Sequence, residues 1–157
     1  MLREPEPSYM NSPASQLIRF WAYLLVAPLF LMGTLASSDS YNSPETIAGS
    51  YKIDAEGLIE LVNENEKQII IDARIQSDRK QGYIPGSISL PDTETRCNTL
   101  ARLIPEKSDA VIFYCNGPKC RRSDHAVAIA VTCGYTNIYW FRGGIEAWKA
   151  DSYPISK

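Results

Sequence analysis

A single histidine in 157 residues takes the commonest metal ligand and general base away from almost the whole chain. With His125 alone beside cysteines 97, 115, 120 and 133, no Cys/His zinc spacing can be drawn, and no metal site is expected. Four cysteines are also too few and too scattered to read as a disulfide scaffold. Basic residues number 16 against 18 acidic ones and gather into no long patch, which sets aside an extended polyanion such as nucleic acid as a partner. The chain carries no internal repeat. Its 45% hydrophobic and 22% charged content suits one globular domain with a short extension.

What the chain does have, near its start, is an uncharged run from Phe20 to Ala36, FWAYLLVAPLFLMGTLA, with Arg19 before it and Ser-Ser-Asp-Ser after it. This reads as an export signal or a membrane anchor. It exceeds a usual signal core and sits at the short edge of a spanning helix, while Pro28 and Gly33 weaken a straight span. Small residues offer cleavage after Ala36 or after Ser38. Glu4 and Glu6 are untypical ahead of such a run, and a start at Met10 would leave a cleaner positive lead, MNSPASQLIR. If the run is retained, Arg19 stays cytoplasmic and the remainder lies outside, touching the inner membrane only through residues 20–36. Either way an extracytoplasmic, periplasmic location is expected. The chain then divides into 1–38 as signal or anchor, 39–50 as a Ser/Asn/Pro-rich linker and 51–157 as the domain.

From Tyr51 onward helical and extended patterns alternate. Asp54 can cap a helix bearing Leu58, Leu61 and Val62, and Gln68–Asp72 is a short apolar strand. A brief helix at 77–81 ends at Gly82, a turn at Pro85-Gly86 leads to a strand at 87–90, and a helix spans 95–103. Strand 110–114, helix 123–133 stopped by Gly134, strand 137–141 and a last helix around Ala147–Lys149 complete the order. Strands separated by helices require crossover connections, so the expected fold is α/β: a parallel sheet of about five strands flanked by helices, with ligands at the carboxyl ends of the strands.

One such end carries AVIFYCNGPKCRRSD, residues 110–124. Cys115 follows the apolar strand directly, and a cationic turn then opens a helix, so backbone amides and the positive end of a helix dipole converge near the sulfur. Lys119, Arg121 and Arg122 should lower the thiol pKa further, which makes Cys115 the expected nucleophile. Asn116, Gly117, Pro118, Lys119, Cys120, Arg121 and Arg122 are the expected cradle for a small anion. Cys120 is a candidate resolving thiol, with a small residue packed under the loop as the plainer reading. His125 is expected to be exposed or capping rather than a base. Cys133 reads as a core thiol, Cys97 as partly exposed and unactivated, and Trp140 and Trp148 as core aromatics.

The order of these features resembles the rhodanese homology domain over Tyr51 to Lys157. Asp72-Ala-Arg74 followed by Gly82-Tyr-Ile-Pro-Gly-Ser87 is similar to that family's D-x-R and G-H-I-P-G-A segment, with Tyr83 in place of histidine. Phe113-Tyr-Cys115 is similar to the end of its active-site strand, and Gly134-Tyr135 with Trp140-Phe-Arg-Gly-Gly-Ile-Glu-Ala-Trp148 and Pro154 to its C-terminal signature. The resemblance implies that Cys115 takes a sulfane sulfur from a thiosulfate-like donor, as a persulfide, and passes it to cyanide or a thiol, a protein thiol included, with no metal or organic cofactor. Two departures stand out. Arg122-Ser123 falls two residues later than in many single-domain members, and Arg121 closes a C-x5-R spacing that resembles related arsenate reductases and phosphatases. That oxyanion chemistry is the second reading, although Tyr114 stands where those enzymes carry histidine and no acid for a leaving group is evident. A non-catalytic thiol or partner-binding module is the third.

Overall fold

The computed structural model describes residues 40–65 and 68–157; the apolar run at 20–36 and both cleavage positions lie outside them. Among the described residues the order is β1 (Tyr51–Ile53), α1 (Ala55–Glu64), β2 (Ile69–Asp72), α2 (Gln76–Arg79), β3 (Ile88–Ser89), α3 (Cys97–Leu103), β4 (Val111–Tyr114), α4 (Arg122–Thr132), β5 (Ile138–Phe141) and α5 (Gly144–Ala150). Within the sheet every strand pairing is parallel and the five strands lie in the order β1-β5-β4-β2-β3. The expected α/β class is what forms. Within it, β1 is a strand that the pattern of Tyr51–Ile53 had not revealed; it adds to the edge by pairing with β5.

Central strands buried on both faces need apolar side chains at every position, and β4 supplies them. Val111 and Phe113 enter one core cluster with Leu100, Ala126, Val127, Ala130 and Trp140, beneath α3 and α4. Ile112 and Tyr114 point the other way, into a cluster with Leu58, Phe141, Ile145 and Trp148 under α1 and α5. The period-two alternation of one strand thus feeds both layers. Asp54 caps α1 as expected, its carboxylate accepting the Gly57 N–H at 2.9 Å. Trp140 and Trp148 are core residues, with Trp148 donating to the Pro154 carbonyl at 2.7 Å.

Two cysteine expectations are corrected. Cys97, the first residue of α3, and Cys133, the C-cap of α4, form a disulfide with their Cα atoms 5.3 Å apart. Neither is a free thiol. The pairing follows from α3 and α4 sharing one face of the sheet, which brings residues 36 apart in sequence to bonding distance.

Among the described residues no helix is long and apolar enough to cross a membrane.

Candidate active site

β4 delivers Cys115 to its carboxyl end, and the chain turns through residues 116–121 before α4 begins. The loop is held from three sides. The N-terminus of α5 grips its start: Ile145 N–H donates to the Cys115 carbonyl and Glu146 N–H to the Asn116 carbonyl, each at 2.9 Å. Gly144, at φ +57°, makes that approach possible, since a Cβ there would lie 2.3 Å from the Cys115 carbonyl oxygen. On another side Asn116 Nδ2 and Arg122 Nη1 both donate to Asp78, at 3.0 and 3.3 Å. The third support is the segment before β1, read from sequence as a linker. Ser43 N–H donates to the Pro118 carbonyl at 2.7 Å, Ser43 Oγ donates to Asp124 at 2.8 Å, the Tyr41 hydroxyl also donates to Asp124, and Arg142 holds the Ser43 and Pro44 carbonyls.

The first two amides of α4 each serve one sulfur. Ser123 directs its backbone N–H and its hydroxyl, the latter at 3.2 Å, to Cys115, while the Arg122 amide, with that of Asn116, serves Cys120. Amides around the start of α4 thus lower the pKa of both thiols. Their states differ. Cys115 is fully buried and donates its thiol proton to the Cys120 carbonyl at 3.0 Å. Interaction with the Cys120 side chain and burial together push its pKa up. Cys120 is half-buried, and its pKa is brought down to about 6 by interaction with the Cys115 side chain, against the effect of burial, with the two amides and the Arg122 charge adding to the fall. Arg122 Nη1 lies 3.7 Å from the Cys120 sulfur.

Cys115 is thus buried, and its pKa is shifted upward where the cationic loop was expected to lower it. Within the loop the second cysteine is half-buried and lines an open cavity, whereas the first is fully buried. The remaining cradle residues divide. Asn116, Lys119, Cys120, Arg121 and Arg122 line an open cavity of about 480 Å³ together with Asp92 and Glu146, whereas Gly117 and Pro118 are not among its lining. The Arg121 guanidinium is stacked 4.8 Å from the Tyr41 ring centroid and makes no hydrogen bond to Cys115, so the C-x5-R arrangement is not assembled around that sulfur. Arg122 shares its charge with Asp78 and Asp92. His125 is exposed and pairs with Asp92 at 3.3 Å, touching neither thiol. Ser123, which also accepts the Trp140 indole N–H at 3.1 Å, escaped the sequence reading as a site residue, although the Arg122-Ser123 pair was its visible trace.

The D-x-R segment shapes the neighbouring loop. Buried Arg74 grips Asp72 through two hydrogen bonds, at 2.9 and 2.7 Å, and donates to the Gly82 carbonyl at 2.9 Å. Arg79 and the Tyr114 hydroxyl add further donors to Asp72, at 3.0 and 2.8 Å. Burial alone would raise the Asp72 carboxyl, but the hydrogen bond and charge of Arg74 outweigh it and hold the pKa below the ordinary value.

A parallel α/β sheet that presents a thiol loop and a helix N-terminus at the carboxyl end of a central strand defines a class of cysteine-loop proteins. Within that class, the profile of the rhodanese-like domain matches residues 54–151, and the chain belongs to this family. It is 32% identical over 104 residues to a sulfurtransferase of Allochromatium vinosum, covering 66% of this chain and 92% of that one. Among solved structures it is similar to a thiosulfate sulfurtransferase of Pseudomonas aeruginosa, with TM-score 0.59 and 25% identity over 68% of this chain and 20% of that one. It is also similar to a rhodanese-like domain from Anabaena, with TM-score 0.56 and 27% identity over 67% of this chain and 77% of that one. These relatives support sulfur transfer as the general class of chemistry.

Proposed function

We propose that this protein is an extracytoplasmic sulfurtransferase that takes a sulfane sulfur from a small thiosulfate-like donor onto a cysteine of the 115–122 loop and yields it to a thiol or cyanide acceptor. The observation that carries the reading is the pair of free thiols beside the start of α4, one of them lining an open cavity. A terminal persulfide is itself an anion, so the amides that stabilise the thiolate also stabilise the intermediate. Lys119 and Arg121 line the same cavity and favour an anionic donor. Export is supported by the apolar run at 20–36 and by the Cys97–Cys133 bridge, which suits an oxidising compartment.

The test is to incubate the reduced full chain with thiosulfate and, separately, with an aryl phosphate, and to weigh the intact protein. A gain of one sulfur atom with sulfite release is the expected result. Phosphate release would replace the proposal with oxyanion chemistry, and neither outcome would leave a binding module. For location, cell fractionation with thiol labelling should find Cys97 and Cys133 blocked in the periplasmic or membrane fraction; free thiols at both positions in a cytoplasmic pool would overturn it.

A further inference from the structure

We infer that Tyr41 and Ser43, on the segment ahead of β1, are positioning residues for the receiving thiol: by occupying Asp124 they leave the Ser123 hydroxyl proton to the Cys115 sulfur. The inference rests on the sulfur-transfer reading, with Cys115 as the thiol that takes the sulfur. It adds a control that lies ahead of residues 54–151, the stretch matched by the family profile.

The segment is seated on the thiol loop and on α4 together. Ser43 is buried and its N–H donates to the Pro118 carbonyl at 2.7 Å. Arg142 clamps the Ser43 and Pro44 carbonyls at 2.8 and 2.9 Å while pairing with Glu45 at 3.0 Å. Held in this way, the segment presents two hydroxyls to one carboxylate oxygen. Tyr41 and Ser43 both donate to Asp124 Oδ2, the latter at 2.8 Å. Partial burial, and after it the Asp124 hydrogen bond, raise the Tyr41 pKa, so the phenol keeps its proton and stays a donor.

The other oxygen of Asp124 reaches the site. The Ser123 hydroxyl has one proton and two acceptors, the Cys115 sulfur at 3.2 Å and Asp124 Oδ1 at 3.3 Å, while its oxygen accepts the Trp140 indole N–H at 3.1 Å. Ser123 is buried, so the choice lies between these two acceptors. Because the distances are nearly equal, the balance turns on how much negative charge Oδ1 carries. Donors on Oδ2 withdraw that charge, and the Ser123 proton goes to sulfur, where it stabilises the thiolate before attack and the persulfide anion after it. Without those donors Oδ1 is the stronger acceptor and the sulfur loses a hydrogen bond that lowers its pKa. Arg121 and His125 on α4 and Asp92 from the segment after β3 are the other charged or titratable groups beside Asp124. On the loop side Cys120, Arg122, Asp78 and Glu146 surround the thiol. Removing the two hydroxyls leaves all of these in place.

The experiment compares the full chain, its loop thiols reduced, with the double variant Tyr41→Phe/Ser43→Ala and with a triple variant that adds Asp124→Asn. Phenylalanine keeps the ring under Arg121, and alanine keeps the N–H bond to Pro118. Without substrate, the Trp140 indole N–H signal in nitrogen-15 spectra should move in the double variant. It should return toward wild type in the triple variant, whose neutral amide competes weakly for the Ser123 proton. With thiosulfate, single-turnover sulfite release from the double variant should be about fivefold slower at pH 7, the worth of one hydrogen bond, at an unchanged half-saturating concentration. That loss should shrink as pH rises and be largely recovered in the triple variant, while Tyr41→Phe alone gives part of each effect. An unmoved indole signal, or a loss that deepens when Asp124→Asn is added, would overturn the inference; so would weaker thiosulfate binding at an unchanged pH profile. Peptide mapping should place the gained sulfur on Cys115; sulfur on Cys120 alone would overturn the inference and leave sulfur transfer standing. If wild type releases no sulfite, the sulfur-transfer reading falls, and the indole comparison still decides whether Tyr41 and Ser43 direct the Ser123 proton.

Discussion

Replacing Cys97 and Cys133 together by alanine opens a cross-link between residues 36 apart. The bridge stabilises the fold chiefly by restricting the unfolded chain, and for a loop of this length the entropy lost there is worth about 4 kcal/mol at 25 °C. Little packing is lost with the sulfurs, because Cys97 is exposed and Cys133 only half-buried. Unfolding entropy of about 2 cal/mol/K per residue, over a domain of roughly a hundred residues, converts this into a fall in Tm of about 20 °C. Thermal unfolding of oxidised wild type and the double variant, followed by circular dichroism, measures it. A urea series should add a steeper m for the variant, whose unfolded chain expands further. A fall of only a few degrees with m unchanged would refute the argument. The bridge also sits at the end of α4 away from the loop thiols, so Cys120 alkylation should keep its pH profile.

Asp72→Asn leaves the buried Arg74 and the partly buried Arg79 without their counter-charge and should cost about 3–5 kcal/mol in denaturant unfolding. Because the native Asp72 pKa is depressed, its contribution is complete above the unfolded carboxylate value of about 3.9 and drains away as pH falls through the native value, so the gap between wild type and variant should narrow in acid. Gly144→Ala forces a left-handed alanine and drives a methyl into the Cys115 carbonyl; it should cost at least about 1–3 kcal/mol and abolish sulfur uptake, and full uptake would contradict the docking of α5 on the loop. Ser123→Ala strands the buried Trp140 N–H and should cost about 1–3 kcal/mol, read as a lower urea midpoint at unchanged m.

Much of the fold was legible because its signals are local. The Asp54 cap, the stop at Gly134 and the apolar run of β4 are each written in a few adjacent residues. β1 was not, since Tyr51–Ile53 has no pattern of its own and becomes a strand only by pairing with β5. The loop residues were found for the same local reason: they follow a strand and open a helix. Which cysteine faces the cavity depended on how far the loop folds back, and that is set by Gly144, Asp78 and Ser43, all distant in sequence. The Cys97–Cys133 pairing was equally out of reach, being a product of how α3 and α4 lie on the sheet.

The hydrogen bonds that run from the Trp140 indole to the Ser123 hydroxyl and on to the Cys115 sulfur give the molecule an optical tag of its own. Chemistry at that sulfur should shift the hydroxyl that the indole donates to, so a change in Trp140 emission on addition of thiosulfate is the expected signal. No dye or isotope has to be introduced to watch it.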